Sequence, residues 1–341
     1  MLHFNSDYME TAHPAILRRF AEIASEQFSG YGLDRCSASA AEKIAALCGK
    51  PNAVVKFLCG GTQTNAVVIE ALLRGYEGVI AAESGHIATH EAGAIEGRGH
   101  KVLTLPENEG RLEAKQIRAY MESFLRDENR DHVVQPKMVY ISNPTESGTI
   151  YKKAELAAIR RVCDAYGLYL YVDGARLGYG LTAAGNDVTL KDLASFCDVF
   201  YIGGTKVGAM CGEAVVIPDP ALLPRFFTHI KHSGALLAKG WVLGAQFDTL
   251  FTDDLYFKIA RHANEMAALL KEGFREKGFR FYIDSPTNQQ FLIVSAAERE
   301  RFDEITTYGY WCPYDEDHTV IRFAASWATR EEDVKELLRL I

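Results

Sequence analysis

The chain has 341 residues, 48% of them hydrophobic, enough to bury one large domain or one large and one small. A formal net charge of −8 and the lack of a long basic run argue against a nucleic-acid or anionic-membrane surface. No apolar run reaches the roughly 18 residues that a membrane-spanning helix needs.

The opening MLHFNSDYMETAHP has no basic segment leading into an apolar one, so no signal peptide is read and a cytoplasmic chain is expected. From about residue 50, apolar runs alternate with helix-like stretches. The expected strands are AVVKFLC (53–59), EGVIAAE (77–83), HKVLTL (100–105), KMVYISN (137–143), LYLYVD (168–173), VFYIGG (199–204) and GEAVVIP (212–218). Amphipathic stretches such as KKAELAAIRRVCDAYG (152–167) follow most of them. This alternation predicts an α/β fold, a mainly parallel seven-stranded sheet with helices on both faces. The pattern then changes. LYFKIARHANEMAALLKEGFREKG (255–278) reads as one helix, followed by short strand-like runs RFYIDSP, QQFLIVS and TVIRFAAS. We expect a large domain over residues 1–245 and a smaller α+β domain over 246–341, with residues 1–30 packing against the small one. The seven cysteines are scattered without CxxC pairs, as befits reduced thiols rather than a disulfide framework or a zinc site.

Open parallel sheets bind ligands beyond the carboxyl ends of their strands. Four signals fall at such ends. In CGGTQTNAVVIEALL (59–73), Gly60, Gly61 and Thr62 follow a strand and open a helix, an arrangement that aims N–H groups at an anion or simply caps the helix. Asp173 ends LYLYVD, where a carboxylate holds a cationic partner or caps the next turn. Lys206 lies in YIGGTKVGAMCGE (201–213). A lysine desolvated there loses basicity and can form a Schiff base, whereas a solvated one is an ordinary loop residue. His86 follows a strand in ESGHIATHEAGAIE (83–96) and is suited to ring stacking or proton transfer; His90 lies one turn on, without an evident third metal ligand, so no metal is expected. Together, a phosphate cradle, a stacking histidine, a strand-end carboxylate and a lysine 33 residues later meet the needs of pyridoxal phosphate. The carboxylate keeps the pyridine nitrogen protonated and the lysine holds the aldehyde. No GxGxxG follows the first strand, which disfavours a Rossmann-type nucleotide enzyme.

With FNSDY (4–8), GGTQTN (60–65), SGHIATHEAGA (84–94), NPTESGTIY (143–151), VDGAR (172–176), GGTKVGA (203–209), KHSGALLAKG (231–240) and IRFAASWAT (321–329) in this order, the sequence resembles the L-threonine aldolases of the low-specificity type. These belong to the β-eliminating lyase group of fold-type I pyridoxal-phosphate enzymes. The resemblance implies a pyridoxal 5'-phosphate enzyme that cleaves β-hydroxy-α-amino acids to glycine and an aldehyde. It implies that Lys206 carries the Schiff base, His86 stacks on the ring and Asp173 binds the ring nitrogen, with Gly61, Thr62 and Thr205 on the phosphate. Ser6, Arg176 and Arg322 would bind the substrate carboxylate. Tyr31 and Lys231 would act at the boundary between subunits of a homotetramer with shared sites. Two departures stand out. Glu146 occupies a loop position where many members carry histidine, which leaves Glu146, His86 or water as the base. Ala238 stands where some members have arginine, so Lys231 or Lys239 would serve the phosphate. Another reaction on the same scaffold, such as β-elimination or racemisation, and a non-catalytic regulator are the rival readings; the intact Lys206 and Asp173 argue against the second.

Overall fold

The computed structural model describes residues 1–341. Its strands are β1 (Leu2–His3), β2 (Val54–Leu58), β3 (Glu77–Ala82), β4 (Val102–Leu105), β5 (Gln135–Ser142), β6 (Tyr169–Asp173), β7 (Val199–Gly203), β8 (Glu213–Ile217), β9 (Arg280–Ile283), β10 (Gln289–Ser295), β11 (Thr306–Thr307), β12 (Gly309–Pro313) and β13 (His318–Ala324). β2 to β8 form one mixed sheet in the order β2-β8-β7-β6-β5-β3-β4. Only β8 runs against its neighbours β7 and β2; the β7-β6-β5-β3-β4 portion is parallel throughout.

The central strands are buried on both faces, which is why they read as nearly continuous apolar runs. Successive side chains still alternate between faces. Val139, Ile141, Leu170, Val172, Phe200 and Ile202 enter one core layer. Met138, Tyr140, Tyr171, Val199 and Tyr201 enter the other. By the same alternation Ser142, Asp173 and Glu213 point to the tyrosine face, each at the end of its strand where the functional cavity opens.

A second, antiparallel sheet has the order β12-β13-β10-β9. β12, with the sequence GYWCP, was not expected: its run is short, without apolar–polar alternation, and ends in a proline suited to a sheet edge. The chain start reaches this region, as β1 pairs with β11 and Phe4 packs in a cluster with Phe274, Phe302 and Phe323. Helix Leu255–Glu276 serves both cores. Tyr256, Ile259, Ala260 and Ala263 pack on the large sheet's core, and Met266, Ala267, Leu270 and Phe274 on the second. These residues recur at helical spacing, so one amphipathic stripe changes partner halfway along. No helix is long and apolar enough to cross a membrane.

Candidate active site

The carboxyl ends of β5, β6 and β7, together with the antiparallel start of β8, border a cavity of about 310 Å³. Gly60, Gly61, Thr62, His86, Glu146, Asp173, Arg176, Thr205 and Lys206 all line it. Two glycines let the strand ends close up behind the site. A Cβ on Gly174 would collide with the Tyr201 carbonyl, and Gly203 donates its N–H to Gly174 O at 2.9 Å.

Asp173 is buried and accepts four hydrogen bonds. Tyr140 (2.6 Å) and the Asn65 amide (3.0 Å) reach Oδ2; the Tyr201 hydroxyl and the Ala175 N–H (2.9 Å) reach Oδ1. Burial alone would raise its pKa, but the charge of His86 and the hydrogen bonds of Tyr140, Tyr201 and Asn65 hold it below the usual carboxylate range. The carboxylate is therefore ionised and suited to a pyridinium. Asn65 also bonds Glu91 Oε1 (2.7 Å), and Glu91 Oε1 meets His86 Nδ1 at 2.8 Å. Burial lowers the His86 pKa, and Glu91 and Asp173 more than reverse it. Asn65, Glu91, Tyr140 and Tyr201 were not singled out in the sequence. The readable signal was the tyrosine recurring on alternate positions of strands that end at the site.

Helix Gly61–Leu72 begins at the cavity with Gly60 as its cap, and no side chain satisfies its first N–H groups. Such orphan donors are an anion site. Burial, reinforced by the charge of Arg176, pushes the Lys206 pKa down. Lys206 Nζ stands 6.0 Å from the centre of the Tyr8 ring. Thr205, on the same cavity wall, also has partners within the chain. Its hydroxyl donates to Glu213 Oε1 (2.8 Å) and accepts from Gly212 N–H (3.0 Å), and its own N–H donates to Gly212 O (3.1 Å). Its polar groups are committed within the chain. Glu213 carries no motif of its own; its only signal in the sequence is a carboxyl leading the apolar strand EAVVI seven residues after Lys206.

Arg176 is gripped by Asp7, which accepts from Nε at 2.7 Å and from Nη2 at 2.9 Å. The pair is buried, and Asn288 also donates to Asp7 (2.9 Å). Burial would raise the Asp7 pKa, yet the ion pair and hydrogen bonds bring it down to about 2. The side edge of the guanidinium is thus occupied by Asp7, and the end edge is not part of that grip. Arg322 donates to Asn5 O (2.9 Å) and Gln289 (3.2 Å), while its Nε and the hydroxyl of Ser6 are buried without partners. Unpaired buried donors of this kind suit an anionic ligand. Glu146 Oε1 accepts from His86 N–H (2.9 Å) and Ser142 (2.6 Å). Burial, aided by the charge of Asp173, raises its pKa. Tyr31 and Lys231 do not line the cavity. The Lys231 ammonium lies 5.0 Å over the Tyr31 ring, beside an apolar hollow bordered by Leu33, Phe227 and Leu237.

The sequence matches the family described as Beta-eliminating lyase over residues 3–298. The chain belongs to this family. Among its relatives, a low specificity L-threonine aldolase of Pseudomonas aeruginosa is 30% identical, covering 98% of this chain and 96% of the relative. One from a Pseudomonas species is 31% identical over 90% and 87% of the two chains. A threonine aldolase structure from Leishmania major superposes with a TM-score of 0.96 at 43% identity, covering 100% of this chain and 98% of that one. An aspartate aminotransferase of Thermus thermophilus, 16% identical with a TM-score of 0.71, shares the fold. In this lyase-family chain the donor set fits pyridoxal 5'-phosphate: an uncapped helix start for the phosphate, an ionised buried carboxylate for the ring nitrogen, and a lysine of lowered pKa for the aldehyde.

Proposed function

We propose that the chain cleaves L-threonine, L-allo-threonine and related β-hydroxy-α-amino acids between Cα and Cβ, giving glycine and an aldehyde. Pyridoxal 5'-phosphate, when bound, supplies an electron sink for the cleaved bond. Lys206 offers the amine that attaches the cofactor aldehyde. Asp173 stays ionised opposite the ring nitrogen, held by its four donors. The end edge of Arg176, with Arg322 and the Ser6 hydroxyl, holds the substrate carboxylate. Fixing that carboxylate would orient the substrate so that the bond to be cleaved is the one presented to the electron sink. Glu146 takes the β-hydroxyl proton, because a carboxylate of raised pKa is a stronger base.

The observation that carries this reading is the placement of Glu146. It sits on the cavity wall with Arg176, steered by the Ser142 hydroxyl and the His86 N–H. A retro-aldol enzyme needs a base at the β-oxygen, the role an ionised Glu146 fills, whereas elimination needs an acid there together with a base at Cα. The relatives named as threonine aldolases at full chain length support the same substrate class. The test supplies L-threonine to the cofactor-loaded protein with alcohol dehydrogenase and NADH. Oxidation of NADH in step with glycine release supports cleavage. Release of ammonia and 2-oxobutyrate would replace it with β-elimination.

We infer further that the chain works as a homo-oligomer, a tetramer on the resemblance, with Tyr31 and Lys231 serving the neighbouring site. Exposed Leu33, Phe227 and Leu237 beside them support this reading. Sedimentation equilibrium at micromolar concentration tests it, with a monomer as the contrary result.

A further inference from the structure

Glu213 belongs to no step above, yet it lines the cavity beside Gly60, Gly61 and Thr62. Its side chain is buried, and only neutral donors reach it: Thr205 on Oε1 at 2.8 Å and Gly204 N–H on Oε2 at 3.2 Å. The antiparallel course of β8 puts it there, opposite Gly203 at the end of β7. Charged and titratable groups face it from several elements. Lys206 comes from the loop after β7, Asp173 from β6, and Tyr171 and Tyr201 from the strands. Tyr256 comes from helix Leu255–Glu276 and Cys211 from the preceding turn. Burial pushes the carboxyl up to about 8, against the opposing pull of Lys206. Where some members of the resembling family have an arginine, this chain has Ala238. A phosphate seated at the helix start would meet an ionised Glu213 as a like charge in a buried setting.

We propose that Glu213 is the proton-holding group of the phosphate cradle: it stands in the cofactor complex as the neutral acid, so a phosphate dianion binds together with one proton. This rests on reading the cavity as a pyridoxal-phosphate site. The balance is simple. One proton from solvent goes onto the carboxylate and no other bond changes. The neutral acid keeps its bonds from Thr205 and Gly204, and its O–H puts a donor where a negative charge would otherwise stand. Cofactor affinity therefore falls as pH rises past the value at which free Glu213 ionises.

The probe is pyridoxamine 5'-phosphate, whose amine cannot condense with Lys206. Calorimetry of the full chain at about pH 9, in buffers of different ionisation enthalpy, counts the protons taken up. The wild type takes up close to one proton more than Glu213→Gln, which keeps the side-chain shape. From about pH 8 upward, its affinity falls up to about tenfold per pH unit more steeply than the variant's. Equal proton counts and parallel slopes overturn the proposal, because a purely structural Glu213 would move neither. Infrared difference spectra of the wild type keep the question open to test even if the variant does not fold. A protonated-carboxyl band must appear on binding at about pH 9, and its absence overturns the proposal. No binding of the probe at any pH overturns the cofactor site as well, so the two failures are distinct.

Discussion

Glu146 and Asp7 are two buried carboxyls driven in opposite directions. Burial pushes Glu146 above its ordinary 4.5, whereas Arg176 overcomes burial at Asp7 and brings it from 3.8 to about 2. A base must be ionised to act, so with Glu146 in the proposed role of base, activity is expected to rise with pH through its raised pKa. Glu146→Gln removes that rising limb from the kcat profile and lowers kcat about a hundredfold or more, with cofactor binding retained. Asp7 is an acid of lowered pKa, so its contribution is complete above 3.8 and is lost as pH falls toward 2. Asp7→Asn leaves a buried guanidinium without its anion, which costs about 3–5 kcal/mol by urea unfolding at neutral pH. The variant also loses the acid-side slope in stability between those values. Its KM for the amino acid rises, because the end edge of Arg176 is aimed by the grip on its side edge.

At the scale of the element, alternation along β5, β6 and β7 explains why tyrosines surround Asp173. Tyr140→Phe removes one of its four donors, the 2.6 Å bond to Oδ2. We expect a loss of about 1–3 kcal/mol in thermal unfolding. The lowered pKa of Asp173 moves back up, so acid destabilisation starts at a higher pH than in the wild type. All seven strands of the main sheet were legible as apolar runs, and so were Lys206, Asp173 and His86 at strand ends. What escaped was pairing across the chain. Asp7 grips a guanidinium 169 residues away and an amide 281 residues away, and no local pattern encodes such partners. The partners of Thr205 escape a linear pattern too: Glu213 and Gly212 meet its hydroxyl across the turn between β7 and β8.

Across the whole molecule, we propose two bodies joined through helix Leu255–Glu276, whose first half packs on the main core and whose second half packs on the smaller sheet. The residues proposed to hold the substrate carboxylate straddle these bodies: Arg176 follows β6, Arg322 is in β13, and Ser6 follows the β1 segment, as does Asp7, which grips Arg176. Phe274→Ala hollows the cluster that holds Phe4, at a cost of about 3–5 kcal/mol in denaturant unfolding. Because Phe4 is two residues from Ser6, the variant also raises KM for the amino acid while its affinity for pyridoxamine 5'-phosphate stays within about twofold.

The most direct test of Cα–Cβ cleavage is proton NMR of the cofactor-loaded protein in D₂O, run separately on L-threonine and L-allo-threonine. Acetaldehyde and glycine appearing in equal amounts, with deuterium entering the glycine methylene, is the predicted result. Appearance of 2-oxobutyrate in place of both would contradict the account, because the bond broken would then be Cβ–O and Glu146 would have no β-hydroxyl proton to accept.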